Sequence, residues 1–135
     1  ILQMEIQSAR MEGSHRADDI LYIESPGERT TVLLIEVDRG TESAKDRHGR
    51  PRGKVSKMFY FYIDAYRENF YRRYFGSEVK PRVLFIITTA WSGSTRKQNF
   101  IDLWEEVGKG YADQLPVFTT LGEFDQLNPF TLIKN

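Results

Sequence analysis

The sequence predicts an α/β fold in which helices flank a mixed central β-sheet. Two apolar runs have the length of strands, at 30–38 and 83–89, and two longer segments, at 55–75 and 95–109, repeat apolar residues every three or four positions. Strand-type and helix-type segments alternate along the chain, which is typical of a layered α/β domain. The 135 residues fit one domain, 1–135, with a core of its own.

The first third of the chain predicts a β-hairpin. Residues 1–16 carry mixed charge and fit either a helix or a short extended lead-in. Segment 18–24 has strand composition, 25–29 contains the turn residues Pro26 and Gly27, and 30–38 is a second strand. Because the connection is short, we expect the two strands to pair antiparallel.

The middle of the chain predicts a loop and a long helix. Segment 45–54 is basic and contains Gly and Pro, which argues against regular structure. A helix is expected over 55–75. Its core-facing stripe would consist of aromatic residues at helical spacing: Phe59, Tyr62, Tyr66, Phe70 and Tyr74. Packing in the core is favoured over base stacking for this stripe, while Tyr60 and Tyr71 are expected to be freer.

The last third predicts a buried strand, a helix and a short strand. Pro81 is expected to interrupt the chain before strand 83–89, whose continuous apolar run indicates cover on both faces. A loop over 91–94 leads into the helix that ends near 109, and 115–121 is a further strand. We expect an irregular tail after Gly122, and we rate the segment 91–96 as a candidate for substrate contact.

Composition limits the function. Lys and Arg number 19 and Asp and Glu number 19, so any affinity for nucleic acid must come from a local patch. The chain has no cysteine, which excludes disulfides, thiol nucleophiles and thiolate metal sites and fits our expectation of a cytoplasmic protein. No apolar run is long enough to cross a membrane. The chain starts at Ile1, so we expect it to be the C-terminal part of a longer protein.

Two carboxylates interrupt the most apolar run. Glu36 and Asp38 end strand 30–38, and alternate residues of a strand share a face. Two such carboxylates repel each other and lose hydration, and a divalent cation, a basic partner or a shared proton can offset this cost. In a hairpin the start of one strand lies beside the end of the other, so Asp18 or Asp19 should join the pair. The alternative is that these acids are only solvated, or are paired with Arg39 or Arg16.

Three carboxylates at one sheet edge favour a metal site. Asp18, Glu36 and Asp38 would supply the hard oxygen ligands that Mg²⁺ or Mn²⁺ prefers. Such an ion can activate water for phosphodiester cleavage, usually with help from a lysine. Lys57 at the start of the long helix is our candidate for that role.

The strings RAD (16–18) and LIEVDRGTE (34–42) resemble the replication-relaxation family of plasmid and mobile-element proteins, which is related to the PD-(D/E)XK nuclease superfamily. Lys57 with the aromatics that follow it, and the string PRVLFII (81–87), extend the resemblance over about residues 16–90. It implies a restriction-endonuclease-like core with ligands at Asp18 and Glu36. Two departures are Ala17, where the family has proline, and Asp38, where the superfamily has lysine. Lys57, or Lys54, would have to replace that lysine.

The basic loop after the acidic strand predicts contacts to a phosphate backbone. It contains five candidate nucleic-acid-binding residues: Lys45, Arg47, Arg50, Arg52 and Lys54. Only Asp46 opposes them locally, and contacts of this type give affinity without reading sequence. The alternative is a solvated loop.

Three functional hypotheses follow. The first is a DNA-processing protein of a plasmid or mobile element with Mg²⁺- or Mn²⁺-dependent nuclease activity. The second is a catalytically inactive DNA-binding accessory for plasmid replication or mobilisation. The third is a partner-binding domain whose acids are satisfied by arginines. DNA is the expected partner, with a second copy of the chain or other replication or mobilisation proteins as further candidates. Ser92 has no histidine partner in the sequence pattern, which argues against a serine hydrolase.

Overall fold

The computed structural model describes residues 5–7, 14–40, 53–88 and 93–126. These residues form six strands and four helices, in the chain order β1 (Glu5–Gln7), β2 (Ser14–Arg16), β3 (Asp19–Ile23), β4 (Thr30–Asp38), α1 (Gly53–Arg67), α2 (Phe70–Phe75), β5 (Val79–Ile87), α3 (Gly93–Gly108), β6 (Pro116–Thr120) and α4 (Leu121–Gln126). The strands β1 and β2 pair antiparallel as a small separate sheet.

The central sheet has four strands in the order β3-β4-β5-β6. The predicted hairpin is present, because β3 pairs antiparallel with β4, with Asp19 opposite Ile35. The pairs β4-β5 and β5-β6 are parallel, which requires crossovers and places helices between the strands. The predicted α/β class, with a mixed sheet flanked by helices, is therefore confirmed. The restriction-endonuclease-like core remains a prediction.

The main core lies between the sheet and the helices α1 and α3. The side chain of Phe59 is at its centre, with ring centroids 5.2 Å from Phe85, 5.6 Å from Phe100 and 5.1 Å from Trp104. The opposite face of the sheet buries a smaller cluster of Leu33, Leu84 and Ile86, against which Phe124 of α4 packs. From Val83 to Ile87, strand β5 is thus apolar on both faces, as its continuous run predicted.

The helix predicted over 55–75 is two helices. Asn69 adopts a left-handed conformation (φ 57°) between α1 and α2, and this conformation cannot continue a right-handed helix. The change of direction turns Tyr71 inward, where it is 3% exposed, and leaves Tyr74 44% exposed. The predictions that Tyr71 is free and that Tyr74 is in the core were therefore wrong.

Pro81 lies inside β5 and does not interrupt it. The amide of Val83 donates to Leu115 at 2.8 Å on the side of β6, so the nitrogen of Pro81, two residues earlier, faces the same side. Because β6 pairs with β5 only from Val83 onward, the proline lies where no ladder hydrogen bond is needed.

The tail predicted after Gly122 is helical up to Gln126. The hydroxyl of Thr120 accepts a hydrogen bond from the amide of Glu123 at 3.3 Å, which caps the new helix. Residues 127–135, and the loop positions Trp91 and Ser92, lie outside the described residues. None of the described helices combines the length and the apolar character that a bilayer crossing requires.

Candidate functional site

A cleft of about 510 Å³ opens at the end of β4. It is lined by all four residues predicted to be catalytic, Asp18, Glu36, Asp38 and Lys57, and also by Lys54. These four residues therefore lie around one cleft at the end of β4, and their catalytic and metal-binding roles remain predictions.

Asp18 continues the pairing of β3 with β4. Its amide donates to the carbonyl of Ile35 at 2.9 Å, and its Oδ2 accepts from the amide of Val37 at 2.7 Å. The side chain thereby replaces the next ladder bond and is held beside the end of β4. Asp19 does not line the cleft, and its carboxylate accepts from the amide of Ile20 at 2.8 Å. The structure thus separates two aspartates that the sequence pattern left equivalent.

Glu36 lies on the helix-covered face of β4, in line with Val32 and Leu34, and is 6% exposed. Its Oε1 accepts a hydrogen bond from the hydroxyl of Tyr62 on α1 and lies 2.5 Å from Nε2 of His15 on β2. Burial, and then the Glu36 charge, raise the pKa of Tyr62 well above its ordinary value. Tyr62 therefore keeps its proton and donates a hydrogen bond to the carboxylate.

His15 is fixed by ring contacts as well as by Glu36. Its ring is stacked on Phe61 with centroids 6.0 Å apart, and it meets the edge of Tyr62 at 5.4 Å. His15 and Tyr62 both contact the same oxygen of Glu36, Oε1. Within the described residues, Oε2 of Glu36 and Oδ1 of Asp18 accept no hydrogen bond.

Asp38 has a basic partner. Its carboxylate accepts two hydrogen bonds from Arg96 on α3, at 2.5 Å from Nε and 2.9 Å from Nη2. The side chains are 12% and 14% exposed, so this bidentate pair is largely removed from water. The sequence suggested Arg39 or Arg16 as the ion-pair partner of these acids. The partner of Asp38 is instead Arg96.

Two lysines of α1 reach the cleft from the first turns of the helix. Lys54, Lys57 and Phe61 are spaced by three and four residues, so they lie on one helix face. Lys57 is exposed and forms no ion pair with a described residue. The other predicted nucleic-acid-binding residues, Lys45, Arg47, Arg50 and Arg52, lie outside the described part of the chain.

The donor set can be tested against a divalent cation. Among the residues that the structure describes, no three His, Asp or Glu side chains form a ready-made metal-ligand group. Two hard carboxylate oxygens, from Asp18 and Glu36, nevertheless line an open cleft. Mg²⁺ is commonly bound through one or two carboxylates and retains several water ligands, so this pair fits the chemistry of such an ion.

Three side chains that hold the site were not predicted. Tyr62 was assigned to the core stripe and His15 to the lead-in 1–16. Arg96 was assigned to the start of the helix over 95–109 and to the segment 91–96, a candidate for substrate contact and not for an ion pair. Of the three, only Tyr62 could have been recognised from the sequence, because a tyrosine hydroxyl in a buried stripe needs a hydrogen-bond partner.

No protein-family model, curated protein or solved structure matches this chain. Membership in the replication-relaxation family therefore remains a prediction from the motifs at 16–18 and 34–42.

Proposed function

We propose that this protein processes DNA of a plasmid or other mobile element through divalent-metal-dependent cleavage of phosphodiester bonds. One observation carries the chemical part of the proposal: Asp18 and Glu36 line one cleft with Lys57, and each carboxylate keeps one oxygen without a partner among the described residues. The mobile-element context rests on the resemblance alone.

The two carboxylates are the proposed ligands of Mg²⁺ or Mn²⁺. Such an ion, when bound, lowers the pKa of its water and stabilises charge on the phosphate. His15 and Tyr62 hold Oε1 of Glu36, which leaves Oε2 without a partner among the described residues and open to a metal ion. The amide of Val37 holds Asp18 in the same way through Oδ2.

The lysines of α1 are proposed to act on the substrate. Lys57 donates to the attacking water or to a non-bridging phosphate oxygen, as the missing motif lysine would. Lys54 and the N-terminal end of α1 attract the phosphate group, because helix N-termini favour anions. Asp38, the third predicted ligand, is hydrogen-bonded to Arg96 through both oxygens, so the proposal depends on Asp18 and Glu36.

A non-catalytic DNA-binding accessory is the second candidate. It is favoured by Asp38, which stands where the nuclease superfamily has its lysine and is paired with Arg96. In this alternative the same cleft and lysines bind the DNA backbone without cutting it.

A nicking assay distinguishes the two. Supercoiled plasmid is incubated with the protein and Mg²⁺ or Mn²⁺, and with the variants Glu36→Gln and Lys57→Ala. We expect the wild type to nick the plasmid and Glu36→Gln to lose nicking together with its metal ligand. Lys57→Ala should lose about 100-fold in rate, as expected for the loss of one transition-state donor.

Glu28→Gln is the matched control, since Glu28 lies in the turn between β3 and β4, at the other end of the hairpin. It should cut like the wild type. Salt-sensitive DNA binding without nicking by the wild type would favour the accessory role, and nicking that survives Glu36→Gln would refute the site.

A further inference from the structure

A second cavity, of about 840 Å³, lies at the opposite end of the central sheet. It is bounded by the turn before β4, by α2 and by the first residues of β5. Thr30 pairs with Val79 there, whereas the candidate cleft lies at Asp38, eight residues along β4. At about 3.3 Å per residue, the two cavities are separated by about 26 Å of strand.

Three cationic side chains line this second cavity: Arg29, Arg72 and Lys80. Its described lining contains no acidic residue, and none of the three cations forms an ion pair with a described residue. In a chain with no formal net charge, this concentration of one sign is local. Cations around a concave surface, with no acidic partner in the described part of the chain, focus a positive potential that attracts anions.

Aromatic and amide groups complete the wall. The rings of Tyr66 and Tyr111 meet edge to face, with centroids 5.7 Å apart. Asn69 and Gln114 contribute amides that can both donate and accept hydrogen bonds. Asn69 stands at the N-cap of α2, and its side chain makes no capping hydrogen bond to that helix.

We propose that this cavity binds a phosphate-bearing nucleotide, with the phosphate at Arg29, Arg72 and Lys80 and the base against Tyr66 and Tyr111. Arginine binds phosphate oxygens through paired N–H donors, and bases stack on tyrosine without strong sequence preference. The volume falls within the range of small-molecule sites, about 300–1,000 Å³. The nucleotide is either free or the 5′-phosphorylated end of a DNA strand, and both present the same chemistry. This site goes beyond the proposed cleavage function and does not depend on it.

Calorimetric titrations test the site in buffer containing EDTA, which keeps divalent metal out of the cleft at the end of β4, and variants of the cavity lining distinguish this site from that cleft. The probes are inorganic phosphate, deoxyadenosine 5′-monophosphate, and a ten-nucleotide oligo(dT) with either a 5′-phosphate or a 5′-hydroxyl. The variants are Arg72→Gln and Tyr111→Ala. Arg73→Gln is the matched control, because Arg73 is the exposed neighbour on α2 and does not line the cavity.

We expect the mononucleotide to bind the wild type and Arg72→Gln to weaken that binding about tenfold or more. Tyr111→Ala should weaken the mononucleotide and leave inorganic phosphate unchanged. Tighter binding of the 5′-phosphorylated oligonucleotide than of both the mononucleotide and the 5′-hydroxyl form would identify the strand end as the ligand. Equal or tighter binding of the mononucleotide would identify the free form.

The proposal is overturned if neither phosphate nor any nucleotide binds, or if Arg73→Gln weakens binding as much as Arg72→Gln. Loss of nicking in Glu36→Gln has no bearing on this result. Conversely, a wild type that binds nucleotide but cuts no DNA would leave this site standing and refute only the cleavage proposal.

Discussion

Replacing Tyr62 with phenylalanine tests the hydrogen bonding that holds the proposed ligand Glu36. The substitution removes one hydroxyl and keeps the ring, so the edge contact with Phe85, at 6.1 Å, is retained and no large cavity forms. What is lost is a buried hydrogen bond to a carboxylate that is 6% exposed. Hydrogen bonds to charged groups contribute about 1.5–3 kcal/mol to stability, so we expect the free energy of unfolding to fall by that amount.

Urea unfolding followed by circular dichroism measures this loss, with Tyr74→Phe as the control. Tyr74 is 44% exposed, and its substitution should change the free energy of unfolding by less than about 0.5 kcal/mol. The same Tyr62→Phe change in a Glu36→Gln background should cost about 1 kcal/mol less, because the acceptor is then neutral. An equal cost in both backgrounds, or a cost below about 0.5 kcal/mol, would refute the contact between Tyr62 and Glu36.

Two further predictions concern the pH dependence of stability and the ion pair between Arg96 and Asp38. Burial, and then Glu36, raise the pKa of both Tyr62 and Tyr71. Since the unfolded chain loses these protons at about pH 10, stability is complete below that pH and falls above it by up to about 1.4 kcal/mol per pH unit for each tyrosine. Urea midpoints between pH 9 and 11 measure this loss of stability, and the midpoint should decrease less steeply with pH in Tyr62→Phe. The same slope in wild type and variant would contradict the contribution of Tyr62. Arg96→Gln leaves Asp38 without its bidentate partner and should cost about 2–3 kcal/mol in urea unfolding, less than a fully buried pair because both side chains keep some exposure. The control is Lys97→Gln, whose pair with Glu123 at 3.0 Å is more exposed and should cost under about 1 kcal/mol; equal losses would contradict the special role of Arg96.

The hairpin and its acidic end could be predicted because their signals are local. The apolar run at 30–38 gives β4 with the predicted bounds, Thr30–Asp38. The turn before it contains Gly27 in a conformation with φ 78°, which glycine adopts without strain. Strand alternation and hairpin pairing then place Asp18 beside Glu36 without any knowledge of the rest of the fold.

The partners of the acids could not be predicted because they come from distant elements. Arg96 is 58 positions from Asp38, and Tyr62 is 26 positions from Glu36. Contacts of that kind depend on how α1 and α3 pack on the sheet, and hydrophobic periodicity does not encode it. The division of α1 from α2 has a similar origin, because the left-handed Asn69 offers only a weak sequence signal.

Calorimetric titration of the metal-free protein with Mn²⁺ tests the cleft most directly. Wild type should release or absorb heat on binding, and Glu36→Gln and Asp18→Asn should abolish the signal. Asp19→Asn should bind like the wild type, because Asp19 is adjacent in sequence but does not line the cleft. A flat titration for the wild type, or an undiminished one for Glu36→Gln, would contradict a divalent-cation site formed by these two carboxylates.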